Sequence, residues 1–295
     1  MLGVLKSADI DGDMADGILG LGRLKPSGSK KHFVSLLKQE GLVDFEMFSF
    51  DFKTDNKKSK VIFGDVDTDI VNNFHDIVWA PWAGNDPEYW TIPVSSVKYG
   101  DSTTMKHAKY AVIDTGSSTI ALSETNFLDL MQSILDTQLE CGFFVEEKFV
   151  ACICPNGLKD FKQINIQING YSFALDPEDY IINEEDVCVI LAYNLGDRVA
   201  IAESTIILGA NFLRRYYTVF DVAKDRVGIY GKPINMYANV VKIIAFGGLM
   251  LSLIIATVLL LWYLFRKEKD LSYLINSDHS DNSKIKMHNQ MIVKV

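Results

Sequence analysis

A chain of 295 residues that is 48% apolar has enough buried surface for a sizeable folded core, and it is not a disordered chain. The formal net charge of −9 argues against a nucleic-acid partner, which requires a clustered basic surface to displace phosphate counterions. Four cysteines, Cys141, Cys152, Cys154 and Cys188, allow three pairings, and their C-x-C spacing differs from the C-x2-C usual in metal sites, so disulfides are expected rather than zinc.

In chain order, Met1 to Asp16 carry Asp9, Asp11 and Asp13 and no apolar run of seven or more residues, so neither part of a secretory signal is present. Residues 31–40 predict a short helix with Phe33, Leu36 and Leu37 on one face and Gly41 as its stop. Phe48, Phe50 and Phe52 then alternate, and Val61-Ile62-Phe63-Gly64 follows a polar turn at Asp55-Asn56-Lys57-Lys58, which predicts a hairpin. Trp79, Trp82 and Trp90 flank Pro81 and Pro87 and read as aromatics packed between sheets, with no substrate contact assigned to the neighbouring Tyr89.

The apolar run Ala111-Val112-Ile113 leads into Asp114-Thr115-Gly116-Ser117-Ser118, the pattern of a strand delivering a carboxylate into a tight, hydroxyl-rich turn. A helix follows, with Phe127, Leu128, Met131, Ile134 and Leu135 on one face and Ser123 as its cap. Ile164, Ile166 and Ile168 alternate up to Asn169-Gly170, and Tyr171, Phe173 and Leu175 alternate away from it, a strong hairpin signal. Thr205 to Gly209 and a strand pair, Tyr216 to Val222 and Arg226 to Tyr230, close the β-rich region. Ile18-Leu19-Gly20 and Ile207-Leu208-Gly209 repeat one pattern on either side of the D-T-G, which implies two lobes of similar design. His32, His75, His107, His279 and His288 show no metal spacing and are read as surface or loop residues; no metal or cofactor is expected.

Ile243 to Phe265 is a run of 23 residues without a charge, long enough to cross a hydrocarbon core of roughly 30 Å at about 1.5 Å per residue. Arg266, Lys267 and Lys269 follow it, while only Lys242 lies close before it, so the tail is expected on the cytoplasmic side and residues 1–242 in a lumen or outside the cell. The polar tail, 266–295, is expected to have no fold of its own.

Ala15-Asp16-Gly17-Ile18-Leu19-Gly20-Leu21-Gly22, Phe48-Ser49-Phe50, Val61-Ile62-Phe63-Gly64, Tyr89-Trp90-Thr91-Ile92, Asp114 to Ser118, Ile206-Ile207-Leu208-Gly209 and Tyr217-Thr218-Val219-Phe220-Asp221 stand in an order that resembles the pepsin-like aspartic proteases, family A1, over residues 1–231. The resemblance implies a mainly β, bilobal antiparallel fold, with residues 1–84 as a remnant of the N-terminal lobe and 85–231 as the C-terminal lobe; the uncharged run and its flanks add a stem at 232–242, the membrane helix at 243–265 and the tail at 266–295. It also implies that Asp114 is one of two catalytic carboxylates, that Thr115 and Ser117 donate hydrogen bonds to it, and that Gly116 lets the backbone approach a peptide. Cys154 with Cys188 is the pairing the family suggests, leaving Cys141 with Cys152.

The family needs two D-T-G or D-S-G motifs, and only one occurs in these 295 residues; its flap hairpin and tyrosine also have no counterpart. The expectation is therefore an aspartic endopeptidase acting on protein or peptide substrates at a membrane. Its second acid would come from an upstream segment absent from this sequence or from a separate N-terminal lobe. The rival expectation is an inactive, membrane-anchored peptide- or protein-binding remnant.

Overall fold

The computed structural model describes residues 19–24, 31–53, 58–84, 88–144, 149–196, 202–236, 252–261, 264, 266 and 267. The chain divides into two compact units, Met1–Asn235 and Met236–Val295.

Among the described residues the first helix or strand of the first unit is helix α1, Phe33–Gln39, which ends at Glu40 ahead of Gly41 at φ +68°. Its fully buried residue is Val34, with Phe33, Leu36 and Leu37 only half-buried, so the inward face is rotated from the one the apolar spacing suggested. Strands β1, Met47–Asp51, and β2, Lys60–Phe63, form the expected hairpin; the tip of its turn, 54–57, lies outside the described residues. Next come β3, Val78–Pro81, β4, Thr91–Pro93, β5, Ser96–Tyr99, β6, Ser102–Thr104, β7, Tyr110–Ile113, and β8, Ile120–Leu122. Helix α2, Glu124–Leu135, follows, capped by Ser123, whose hydroxyl accepts from the Asn126 amide. Its buried face is Phe127, Leu130, Met131 and Ile134, whereas Leu128 and Leu135 are exposed.

Strands β9, Cys141–Phe144, β10, Phe149–Ile153, β11, Ile164–Ile168, and β12, Tyr171–Leu175, come next. At the β11–β12 turn, Asn169 and Gly170 lie at φ +44° and +81°, the left-handed pair that a two-residue hairpin requires. A short helix α3, Pro177–Tyr180, precedes β13, Ile181–Glu184, β14, Val187–Ile190, β15, Ala192–Asn194, and β16, Thr205–Leu208. Helix α4, Ala210–Leu213, leads to β17, Tyr217–Asp221, β18, Arg226–Tyr230, and β19, Ile234–Asn235.

These strands build four sheets, ordered β2-β1-β17-β18-β3, β13-β14-β10-β9, β19-β12-β11-β5-β6 and β15-β8-β16-β7-β4. The first sheet joins residues on both sides of the expected 84/85 boundary, because β1 pairs antiparallel with β17, Phe48 facing Phe220. Both faces of β1 are covered. On one, Phe48 stacks on Phe220 at 4.7 Å and meets Trp90 edge-on at 6.1 Å. On the other, the buried Tyr217 hydroxyl donates to Ser49 at 2.6 Å and accepts from the Asp67 amide at 2.7 Å, while Ser49 donates to the Asp65 carbonyl at 3.1 Å. The Ser49 and Tyr217 hydroxyls thus each have partners, which offsets the penalty of burying them.

The cysteines pair as Cys141 with Cys152 and Cys154 with Cys188. In the second unit, residues 252–261 are helical, and Leu253, Ile254 and Val258 are each more than half exposed. Most of the rest of the expected membrane span, 243–251, 262, 263 and 265, and most of the tail lie outside the described residues. Among the described residues no helix is long and apolar enough to cross a membrane.

Candidate active site

Asp114 stands where β7 ends. Strand β16 lies between β7 and β8, parallel to the first and antiparallel to the second. The two strands that flank it are consecutive in the chain, so the Asp114–Thr119 loop joining them must arch over the end of β16. Two backbone bonds fix the arch: the Asp114 amide donates to the Leu208 carbonyl at 3.1 Å, and the Ala210 amide donates to the Ser117 carbonyl at 2.7 Å. Gly209 sits directly beneath. A Cβ there would come within 2.4 Å of the Ser117 oxygen and 2.5 Å of the Thr119 oxygen, both backbone atoms with no freedom to swing away. Ile207-Leu208-Gly209 thus pins the D-T-G turn from behind, and the glycine is a packing requirement of this loop crossing.

Within the turn, the Gly116 amide donates to the Asp114 carboxylate Oδ1 at 2.9 Å. A backbone donor of this kind orients the carboxyl group within the turn. The role assigned to Ser117 needs correction: its hydroxyl donates to the Thr119 carbonyl at 3.2 Å, bracing the arch and not the carboxylate. Thr115 lies beside Asp114 on the wall of the groove described next. Asp114, Thr115 and Ser117 are half-buried and Gly116 is exposed, so the carboxylate meets solvent through the groove.

That groove has a volume of about 600 Å³. Asp114, Thr115 and Gly116 form one side, and Leu19 to Gly22, Phe50, Phe63 and Tyr89 contribute to the rest. It is a mostly apolar channel whose lining also carries two acidic side chains, Asp114 and Glu88. Sequence reasoning left Tyr89 without a role, yet it lines the groove and is 45% exposed. The signal was its adjacency to Trp90, whose own backbone carbonyl accepts from the Ile113 amide at 3.0 Å and so fixes Tyr89 next to the strand that leads into Asp114.

The wall formed by Leu19 to Gly22 has no regular secondary structure and is held by side chains. The Leu21 carbonyl accepts from Trp90 Nε1 at 2.9 Å and is met by His32 Nε2 at 3.2 Å. His32 is not the surface residue its isolated position suggested. It is 7% exposed, stacks on Phe48 at 5.6 Å, and caps α1 by accepting the Val34 amide at Nδ1. An acceptor at Nδ1 puts the ring proton on Nε2, so that nitrogen donates to Leu21. Burial lowers the His32 pKa, opposed by the Leu21 carbonyl and the Glu46 carboxylate. Arg23 ties the same segment further on: its guanidinium lies 3.6 Å from the centroid of Trp82 and 2.6 Å from Asp225. Of the apolar-apolar-Gly segment here, Ile18 lies outside the described residues.

His75 and His107 are exposed, and His279 and His288 lie outside the described residues. Among the described residues no group of three His, Cys, Asp or Glu side chains could hold a metal ion. The four cysteines are joined in two disulfides away from the groove, with Cys152, Cys154 and Cys188 buried and Cys141 half-buried.

A carboxyl group on a braced D-T-G turn thus stands beside a mostly apolar groove. The chain is similar to vacuolar protease A of Neurospora crassa, 31% identical over 72% of this chain and 51% of that protein. It is also similar to pepsin A of Canis lupus familiaris, 32% identical over 72% and 53%, and to gastricsin of Cavia porcellus, 30% identical over 72% and 52%. The chain thus spans about half the length of the curated relatives it matches. The family model for eukaryotic aspartyl proteases matches residues 6–231, well over half of these 295 residues, and with the Asp114 turn in place the chain belongs to that family.

Proposed function

We propose that this protein is an aspartic endopeptidase in which Asp114 is one of two catalytic carboxylates and the second is supplied from outside these 295 residues, by another segment of the protein or by a partner lobe. The observation that carries the reading is the Asp114 carboxylate, held by the Gly116 amide on one side of a mostly apolar groove. Peptide hydrolysis by this chemistry uses a carboxyl pair sharing one proton: the ionised member takes a proton from the attacking water while the protonated member gives one to the carbonyl oxygen. One carboxylate alone can supply the base but not the acid in the same step. The Gly116 amide holds Asp114 Oδ1 in place, so the orientation of this carboxyl group is set by the turn that carries it. The groove walls, Phe50, Phe63, Leu19 and Tyr89, favour substrates with apolar side chains on either side of the cleaved bond.

The test is cleavage of an unfolded protein by material purified from its native membranes, with and without Asp114→Asn, from acid to neutral pH. Cleavage between apolar residues that falls to background in the variant, at an unchanged unfolding midpoint, supports the reading. Cleavage that survives the substitution overturns it. The single D-T-G favours one rival, an inactive peptide-binding protein, and intact mass decides between them: a native mass near 33.1 kDa with peptide binding but no cleavage selects the binder.

We further place the protein in a membrane by one span at 243–265, with residues 1–242 lumenal or extracellular and the tail cytoplasmic. The reading rests on 23 uncharged residues followed by Arg266, Lys267 and Lys269. Protease added outside sealed vesicles of native orientation should remove the tail alone; digestion of the groove-bearing unit from the same side as the tail would overturn this topology.

A further inference from the structure

The strand register sets three cysteines in one row. Cys141 of β9 pairs with Cys152 of β10, and Cys152 pairs with Cys188 of β14. Paired residues of antiparallel strands project from the same face, as do residues two apart, so all four sulfurs lie on one side of this sheet. Two bridges tie them, Cys141–Cys152 across neighbouring strands and Cys154–Cys188 on the diagonal. Cys152 therefore has two disulfide partners within reach, one on each flank.

The ladder bonds show how each flank is spaced. The Ile153 amide donates to the Glu140 carbonyl at 2.8 Å, and the Cys154 amide donates to the Asp186 carbonyl at 2.8 Å. Hydrogen-bonded and non-hydrogen-bonded pairs alternate along an antiparallel ladder, which makes Cys141–Cys152 a close, non-hydrogen-bonded pair, with Cα atoms 3.9 Å apart. Cys152–Cys188 is then a hydrogen-bonded pair, with a Cα separation of roughly 5.5 Å, inside the range a disulfide spans. Access is unequal: Cys141 is half-buried on the edge strand, whereas Cys152 is 1% exposed and Cys154 and Cys188 are 0% exposed.

We propose that Cys141 is a thiol-exchange site, and that a dithiol reductant attacking it passes the bridge from Cys141–Cys152 to Cys152–Cys188. A thiolate of the dithiol attacks Cys141 Sγ, the Cys141–Cys152 bond breaks, and its electron pair leaves on Cys152. The second thiol of the reagent closes on the first, releasing Cys141 as a thiol and the reagent as its disulfide. Cys152 thiolate attacks Cys188 Sγ across the ladder, and Cys154 departs as a thiolate that takes a proton from water. The reagent is oxidised by two electrons, Cys141 and Cys154 end reduced, and β10 stays bridged to β14 while edge strand β9 is released. This inference is independent of the proposed peptidase activity.

The test is a cysteine map of the full chain. The oxidised protein is treated with dithiothreitol, quenched in acid, unfolded, alkylated with N-ethylmaleimide and read by tandem mass spectrometry. The expected adducts are on Cys141 and Cys154, with Cys152 recovered linked to Cys188. Adducts confined to Cys141 and Cys152, appearing first on Cys154 and Cys188, or absent altogether overturn the proposal. A Cys141→Ser variant reads the same step without reductant: label on Cys154 should reach about a tenth of that on Cys152 or more, and label on Cys152 alone overturns it.

Discussion

Replacing Gly209 by alanine tests the idea that the Asp114 turn is held by a crossing too tight for a side chain. Gly209 lies at φ −92°, a conformation open to any residue, so a substitution there meets steric resistance and no backbone strain. The added methyl would lie about 1 Å too close to two carbonyl oxygens of the arch. Overpacking of this kind costs about 1–3 kcal/mol, and weakening the Ala210–Ser117 bond, 2.7 Å long, adds about 1 kcal/mol. The expected loss is about 2–4 kcal/mol, or a fall in Tm of about 4–16 °C for a unit of this size. Gly20, its counterpart in the first apolar-apolar-Gly segment, has nothing within 4 Å of an added Cβ, so Gly20→Ala should change stability by less than about 0.5 kcal/mol. Paired denaturant and thermal unfolding of the two variants checks the contrast. Equal effects, or a Gly209→Ala loss below that of Gly20→Ala, would refute the packing argument.

Three further outcomes are expected. Burial lowers the His32 pKa, so the folded state prefers the neutral ring; its contribution is complete above the unfolded value near 6.5 and is lost as pH falls below that value. His32→Asn keeps a capping acceptor without a titrating group, so its urea midpoint should fall less than wild type between pH 7.5 and 5, and identical slopes would exclude His32 as the source. Arg23→Lys keeps the charge but loses the flat stack on Trp82, and with Arg23 only 9% exposed it should cost about 1–2 kcal/mol. Asp225→Asn should cost under about 1 kcal/mol because the Asp225 side chain is 58% exposed and water screens the pair; unfolding followed by tryptophan fluorescence ranks the two, and the reverse order would show that charge and not stacking holds the segment. Gly170→Ala, at φ +81° in the β11–β12 turn, should cost about 1 kcal/mol by calorimetry, and a neutral result would mean the turn relaxes to another type.

The sequence by itself determined what is local. Asn169-Gly170 between two alternating strands, Ser123 before an apolar helical face, and Ala111 to Ile113 running into Asp114 each declare their structure within a few residues, because turn geometry, capping and side-chain period act over that range. Tertiary structure alone decided the rest. Phe48 pairs with Phe220 across 172 positions, and no local signal names a partner that distant, since any apolar strand edge offers the same backbone groups. His32 looked like a loop residue because one histidine carries no period, yet Phe48, Trp90 and the Leu21 carbonyl enclose it. Gly20 and Gly209 read alike as Leu-Gly steps, and only the tertiary structure, which sets the arch over β16 against Gly209 and leaves Gly20 open, makes a side chain costly at one and harmless at the other. The Asp114 carboxylate itself was legible; that its donor is the Gly116 amide and not a neighbouring hydroxyl follows from how the loop bends in space.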